Sequence, residues 1–138
     1  SLPTSSMYHA AKWGLEGFSE CLRQELEPFE VFVTLIEPGG VRTDFGRNLQ
    51  YASEIAAYHD TAAGHMRTMF ASAGDELYTL DPEKIAQAIF NTTTDDLPPL
   101  RVTLGGDAFD VIENALQTRL SILKSQESLA RSMAFDKK

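Results

Sequence analysis

Tyr8 and Lys12 stand four residues apart in the stretch Tyr-His-Ala-Ala-Lys-Trp-Gly-Leu-Glu-Gly-Phe, which continues without a proline to Pro28. In a helix that spacing puts the phenol and the ammonium on one face, one turn from each other. A free tyrosine titrates near about 10, too high for useful proton transfer at neutral pH, and a nearby cation favours the phenolate and lowers that value. A tyrosine tuned in this way can pass a proton to or from a substrate oxygen. The same spacing also arises by accident in many helices, where the tyrosine only starts the helix and the lysine is solvated. The neighbouring sequence has to decide between the two.

The element that must carry the pair is a helix over residues 8–27. Leu15, Phe18, Leu22 and Leu26 recur at helical spacing and predict a buried stripe. Ser5 or Ser6 is placed to cap it by accepting a backbone hydrogen bond. Ala10, Gly14, Gly17 and Cys21 form a second stripe, of small residues. Glycine costs about 1 kcal/mol in a helix interior, so two of them imply that something packs closely there. Cys21, the one cysteine, reads as a packed free thiol that forms no disulfide within the chain. Pro28 ends the helix. Val31 to Ile36 is apolar apart from Thr34, which predicts a strand inside a parallel sheet covered on both faces. It runs into Glu37-Pro38-Gly39-Gly40-Val41-Arg42-Thr43. Ligands of such sheets bind at the carboxyl ends of strands, and glycines there let the backbone approach a flat ring closely.

A Tyr-x-x-x-Lys helix, a short link, an apolar strand and then Pro-Gly-x-Val-x-Thr: this order resembles the short-chain dehydrogenase/reductase family, classical type. The likeness is specific over residues 3–45 and looser from Asp81 to Leu104. It implies an α/β fold, the C-terminal part of a doubly wound parallel-sheet domain of Rossmann type. It implies an oxidoreductase that moves a hydride between NAD or NADP and a small-molecule alcohol or carbonyl substrate. In the family the motif tyrosine is the general acid/base, and the lysine lowers its pKa and holds the nicotinamide ribose. The Pro-Gly segment lies against the nicotinamide ring and its carboxamide. Carried over by position, the catalytic residues are Tyr8 and Lys12. The cofactor-binding residues are Tyr8, Lys12, Pro38, Gly39, Gly40, Val41 and Thr43. Ala11 stands where the family often has serine. The resemblance also implies a homodimer or homotetramer joined through residues 8–27. Two other readings keep the same motif: a non-catalytic dinucleotide-binding or dimerising fragment, and an epimerase or dehydratase. The Pro-Gly-x-Val-x-Thr turn favours the reductases over the latter.

From Asp44 to Leu80 the periodicity weakens, and short helices are expected within a long segment. In the resembled family this region closes over the substrate, so residues 44–80 are expected to be a substrate-loop insertion, with Arg47 and Arg67 as its first trypsin sites. His59 and His65, six apart, do not match a common metal spacing. Asp81-Pro82-Glu83 predicts a helix start, with a capping aspartate, proline at the first position and an acid in the first turn. Asn91-Thr92-Thr93 fits a glycosylation acceptor, a short pattern with nothing else in the sequence to support secretion, and Asp95 and Asp96 read as solvated loop. Leu100 to Leu104 alternates with period two and predicts a half-buried edge strand. Gly105-Gly106-Asp107 then turns into a last helix, whose stripe Phe109, Ile112, Leu116, Leu120 and Leu123 is expected to pack on its own sheet. The tail from Ser125 is polar.

Hydrophobic residues make up 43% of the 138, enough for a core of about one domain. Twelve basic against twenty acidic residues give a net charge of −8. That balance argues against nucleic acid, which needs clustered positive charge, and against an anionic membrane surface. The expected setting is cytoplasmic. No Gly-x-x-x-Gly-x-Gly turn follows a strand, and Ser1, Ser5 and Ser6 lie too close to Tyr8 to be the substrate-holding serine of the resembled family. Residues 1–138 are therefore expected to be the C-terminal catalytic half of one Rossmann-type domain, with the N-terminal dinucleotide-binding half outside this chain.

Overall fold

The computed structural model describes residues 1–135. Helix α1 spans Ser6–Leu26 and is followed by a 3-10 turn, Glu27–Phe29, that contains Pro28. Strand β1 is Leu35–Pro38. Short 3-10 turns at Gly46–Asn48 and Ala56–Tyr58 lead to α2, Ala62–Ser72. Then come α3 at Pro82–Thr92, β2 at Arg101–Leu104, α4 at Gly106–Ser125 and the short α5 at Glu127–Arg131, which lies in the polar tail. Strands β1 and β2 pair in parallel, with Leu35 opposite Arg101 and Pro38 opposite Leu104. The architecture is α/β with a parallel sheet, of Rossmann type.

The strand expected at Val31–Ile36 begins four residues later and runs through Pro38. Its hydrogen-bond partner sets its limits: Leu35 N–H donates to the Leu100 carbonyl at 2.7 Å and Gly39 N–H to the Leu104 carbonyl at 2.9 Å. The residues before Leu35 are engaged otherwise. The Val33 carbonyl accepts from Arg23, and Thr34 Oγ1 donates to the Pro99 carbonyl at 2.8 Å. Pro38 is tolerated because alternate residues donate to β2, and position 38 falls between two donors. Asp81 caps α3 as expected, its Oδ1 accepting from Glu83 N–H at 2.9 Å with Pro82 in the first turn.

Period-two alternation sends Leu35, Glu37, Arg101 and Thr103 to one face of the sheet. Helix α1 lies on that face, and it does so with polar residues. Glu16, Ser19, Arg23 and Leu26 recur at helical spacing on the side turned inward: Ser19 is buried and the other three half-buried. Arg23 donates to the carbonyls of Val33 and Pro98 at 3.1 and 3.0 Å. In the opposite direction, Arg101 of β2 donates to Glu16 Oε2 through Nε and Nη2 at 3.1 and 2.8 Å, and to Glu20 Oε1.

This polar interface overturns several expectations. The stripe of Leu15, Phe18, Leu22 and Leu26 is not buried: Leu15 and Phe18 are 48% and 61% exposed, and the other two are half-buried. Cys21 is exposed, because it lies on the side of α1 away from the sheet. Ser5 occupies the N-cap without a side-chain hydrogen bond. In α4, Ile112 is half-buried, whereas Phe109, Leu116, Leu120 and Leu123 are exposed, so that stripe does not pack on the sheet of this chain. A Cβ added at Gly14 or Gly17 would meet nothing, so close packing within the chain does not explain the small-residue stripe. Among the described residues only Ser19, Leu35 and Pro98 are buried, and no helix is long and apolar enough to cross a membrane.

Two strands with open outer edges and so much exposed apolar surface make a poor isolated fold. Expressed as residues 1–138 alone, the chain is expected to self-associate and to melt without a sharp transition. Sedimentation velocity and a thermal melt check this. A monodisperse species with one cooperative transition would show that these faces are stable in water.

Candidate functional site

Tyr8 sits in the first turn of α1 and Lys12 in the next, so the helix itself sets their relation. The Lys12 ammonium lies 5.7 Å from the centre of the Tyr8 ring, within the range in which a cation is attracted to an aromatic face. Tyr8 is half-exposed. Two other rings touch it. His9 meets it edge-on at 5.6 Å, and Phe45 leans against it at 6.3 Å with the planes tilted by 56°. His9 is itself fixed, because its Nε2 accepts from Leu2 N–H at 2.9 Å and so ties the lead-in loop to the helix.

Phe45 reaches Tyr8 from the turn that follows β1. Its N–H donates to Thr43 Oγ1 at 3.3 Å, a local side-chain bond of the kind that shapes loops. The turn is wedged between two other parts of the chain. On one side Gly40 N–H donates to Asp107 Oδ2 at 2.8 Å, from the first turn of α4. On the other, Leu80 N–H donates to the Gly40 carbonyl and Arg42 N–H to the Leu80 carbonyl, each at 2.9 Å. Arg42 Nε adds a bond to the Tyr78 carbonyl at 3.3 Å. A Cβ at Gly39 would overlap the Asp107 carboxylate, and one at Gly40 would overlap the Leu77 carbonyl. The two glycines are thus demanded by close approach of this chain to itself. On the side where a Cβ would stand, each glycine faces protein: the Asp107 side chain at Gly39 and the Leu77 backbone at Gly40. Asp107 is aimed at the turn by Gly105, whose φ of 112° is open to glycine and strained for other residues.

Tyr8 and Lys12 therefore come together with the segment that begins Pro38-Gly39-Gly40-Val41, through Phe45. Among the described residues no acceptor bonds the half-buried Val41 N–H, and Thr43 is exposed. Sequence reasoning missed three contributors. Phe45 carried only the signal of an aromatic two residues after Thr43. Asp107 carried only its place after two glycines. Arg101 was a charge at a strand position whose alternation points it inward. Hydrogen bonds to Glu20 and Glu16 hold its guanidinium above the ordinary arginine value, against an opposing effect of burial.

Comparison with known proteins gives the family. The short chain dehydrogenase family model matches residues 1–54. Oxidoreductase BOA17 of Botryotinia fuckeliana is 34% identical over 83% of this chain and 42% of its own length. Human retinol dehydrogenase 8 is 33% identical over 70% of this chain and 33% of its own length. The crystal structure of a short-chain dehydrogenase from Streptomyces avermitilis superposes with a TM-score of 0.81 at 33% identity, over 98% of this chain and 48% of that one. The chain belongs to the short-chain dehydrogenase/reductase family. It spans about half the length, or less, of the relatives it matches.

The wedge gives a prediction. Gly40→Ala forces a methyl group onto the Leu77 carbonyl, a backbone atom that cannot rotate away. In the whole protein it should destabilise by about 1–3 kcal/mol, the usual cost of overpacking. Chemical denaturation of both forms checks this, and an unchanged midpoint would mean that the segment from Leu77 to Leu80 does not press on the turn.

Proposed function

We propose that the whole protein carrying this chain is a nicotinamide-dependent oxidoreductase acting on an alcohol or carbonyl, with Tyr8 as the general acid/base. One observation carries this reading: the Lys12 ammonium stands over the Tyr8 ring, one helical turn away, while Phe45 of the Pro-Gly turn leans on the same ring. A phenol beside a cation and an apolar wall can hold a substrate oxygen and exchange a proton with it. In the reducing direction Tyr8 Oη gives its proton to the carbonyl oxygen, and in the oxidising direction it removes the hydroxyl proton. Lys12 sets a positive charge 5.7 Å from the centre of the ring that gives and takes the proton.

The residues present fit NAD or NADP at this end of the sheet. The Val41 N–H, which no acceptor among the described residues bonds, suits an amide oxygen, and the Lys12 ammonium suits ribose hydroxyls. Tyr8, Lys12, Val41 and Thr43 would hold the cofactor, with Pro38, Gly39 and Gly40 shaping the backbone beneath it. When bound, the cofactor supplies or accepts the hydride. In this reading residues 1–138 are the catalytic half of a Rossmann-type domain. The open small-residue face of α1 at Gly14 and Gly17 supports a homodimer or homotetramer through that helix.

In the whole protein, Tyr8→Phe should leave folding and dinucleotide affinity nearly unchanged and lower turnover about a hundredfold or more, the scale for losing an acid/base group. Lys12→Met should weaken both turnover and cofactor binding. Steady-state kinetics with fluorescence titration of the dinucleotide checks both. Retention of most turnover by Tyr8→Phe would end this assignment.

Residues 44–80 belong to the same reading as a substrate-loop insertion. Arg67 is not the open protease site that the sequence suggests: it lies in α2, donates to the Ala52 carbonyl at 2.7 Å, pairs with Glu54 at 3.2 Å and covers the Tyr51 ring. Arg47 is open, its side chain 74% exposed and facing only Asp44 at 3.4 Å. Trypsin should therefore cut first at Arg47 in the free protein, and dinucleotide with substrate should protect it. Equal cleavage with and without ligands, followed by mass spectrometry, would mark the segment as a fixed insertion.

A further inference from the structure

We propose that Arg101 is a positioning residue that sets the distance between the Tyr8–Lys12 helix and the turn after β1. The proposal rests on the reading of Tyr8 as the acid/base. Tyr8, Lys12, Glu16 and Glu20 follow one another at four-residue steps along α1, and Arg101 binds the last two. The same guanidinium has its Nε 3.7 Å from Glu37 Oε1, and Glu37 is the residue before Pro38. Thr103 Oγ1 donates to the other Glu37 oxygen at 3.3 Å and so holds that carboxylate in place. One cation thus touches the helix that carries the pair and the strand root of the turn that carries Phe45.

Among the described residues two arginines hydrogen-bond helix α1 to the sheet and the segments leading into it. Arg23 holds its C-terminal part to the Val33 and Pro98 carbonyls, and Arg101 holds its middle. Without Arg101 the helix stays on the sheet through Arg23 but is free to pivot. Glu16, Glu20 and Glu37 would also be left without their shared cation, and their repulsion favours that pivot. Fifteen residues separate Arg23 from Tyr8, about 22 Å of helix, so a tilt of about 2.5° about that attachment displaces Tyr8 by about 1 Å. Displacements of that size cost up to about a hundredfold in rate. A lysine cannot replace the planar fork that meets Glu16 and Glu20 together.

The test uses the whole protein, with kcat and KM measured well below the melting temperature for Arg101→Met, Arg101→Lys and Glu16→Gln, and Tyr8→Phe beside them. Arg101→Met should lower kcat about tenfold or more, with KM for substrate changed less than about twofold. Arg101→Lys should restore only part of the loss. Glu16→Gln, which keeps the shape and removes one charge, should lower kcat about threefold, and it supplies the answer if Arg101→Met does not fold. A lower melting temperature with kcat unchanged in Arg101→Lys and Glu16→Gln would make Arg101 purely structural and overturn the proposal. Full turnover in Tyr8→Phe would instead overturn the acid/base reading beneath it, and the proposal with it.

Discussion

The placement of α1 depends on a polar exchange between helix and sheet. Arg23 reaches from the helix to two backbone carbonyls ahead of the strands, and Arg101 reaches from a strand to two carboxylates on the helix. Apolar contacts between a helix and a sheet are non-directional and let the helix slide or rotate at little cost. Guanidinium forks are directional, and each satisfies two acceptors in one plane. An isolated exposed ion pair contributes only about 0–1 kcal/mol, but a hydrogen bond to a charged group contributes about 1.5–3 kcal/mol when partly shielded. The gain here is therefore less in total stability than in a defined rotation of the helix. That rotation is what a site needs when two of its groups, Tyr8 and Lys12, are carried on the helix and the third, Phe45, is not.

The turn after β1 is the other half of the arrangement, and it is shaped from outside. Its own sequence supplies two glycines, but its conformation is held by Asp107 from one direction and by Leu77 to Leu80 from the other. Residues 44–80 leave the turn after Thr43 and return to it at Leu80, which forms an isolated bridge with Val41. Their two ends are thus held at the turn, while residues 47–62 between them are exposed. A segment tethered at both ends with few buried contacts between can rearrange at low cost without disturbing the turn.

The local parts of this design were legible in the sequence. The Tyr8–Lys12 relation follows from helical spacing alone, and the α3 start follows from Asp81-Pro82-Glu83, because each involves neighbours within one turn. The strand limits and the buried face of α1 were not legible, because both depend on partners far along the chain. Leu15 and Phe18 read as a core stripe by hydrophobicity, yet the inward side is taken by Glu16, Ser19 and Arg23: Glu16 is bonded by Arg101 of β2, Arg23 bonds the Val33 and Pro98 carbonyls ahead of the strands, and Ser19 is buried. Hydrophobic periodicity identifies what wants cover but not which part of the protein supplies it. The exposed stripes of α1 and α4 show this: their pattern is clear, and their cover does not lie within the described residues.

The same separation governs how the site forms. Glu16 and Arg101 are 85 residues apart, Gly40 and Asp107 67 apart, and Thr34 and Pro99 65 apart. All three contacts require β2 and the start of α4 to return to β1. Closing such a loop costs free energy that grows only slowly with its length, so the insertion between them can vary in size with little penalty. What cannot vary is the register of β1 on β2. A parallel ladder with Leu35 opposite Arg101 brings Glu37 beside Thr103, and Asp107 follows three residues after Leu104 to meet Gly40. A slip of one residue would send Arg101 to the far face of the sheet, away from Glu16 and Glu20. The Tyr8–Lys12 pair is therefore local in sequence but meets the turn after β1 only when a four-residue ladder, closed from the far end of the chain, is in register.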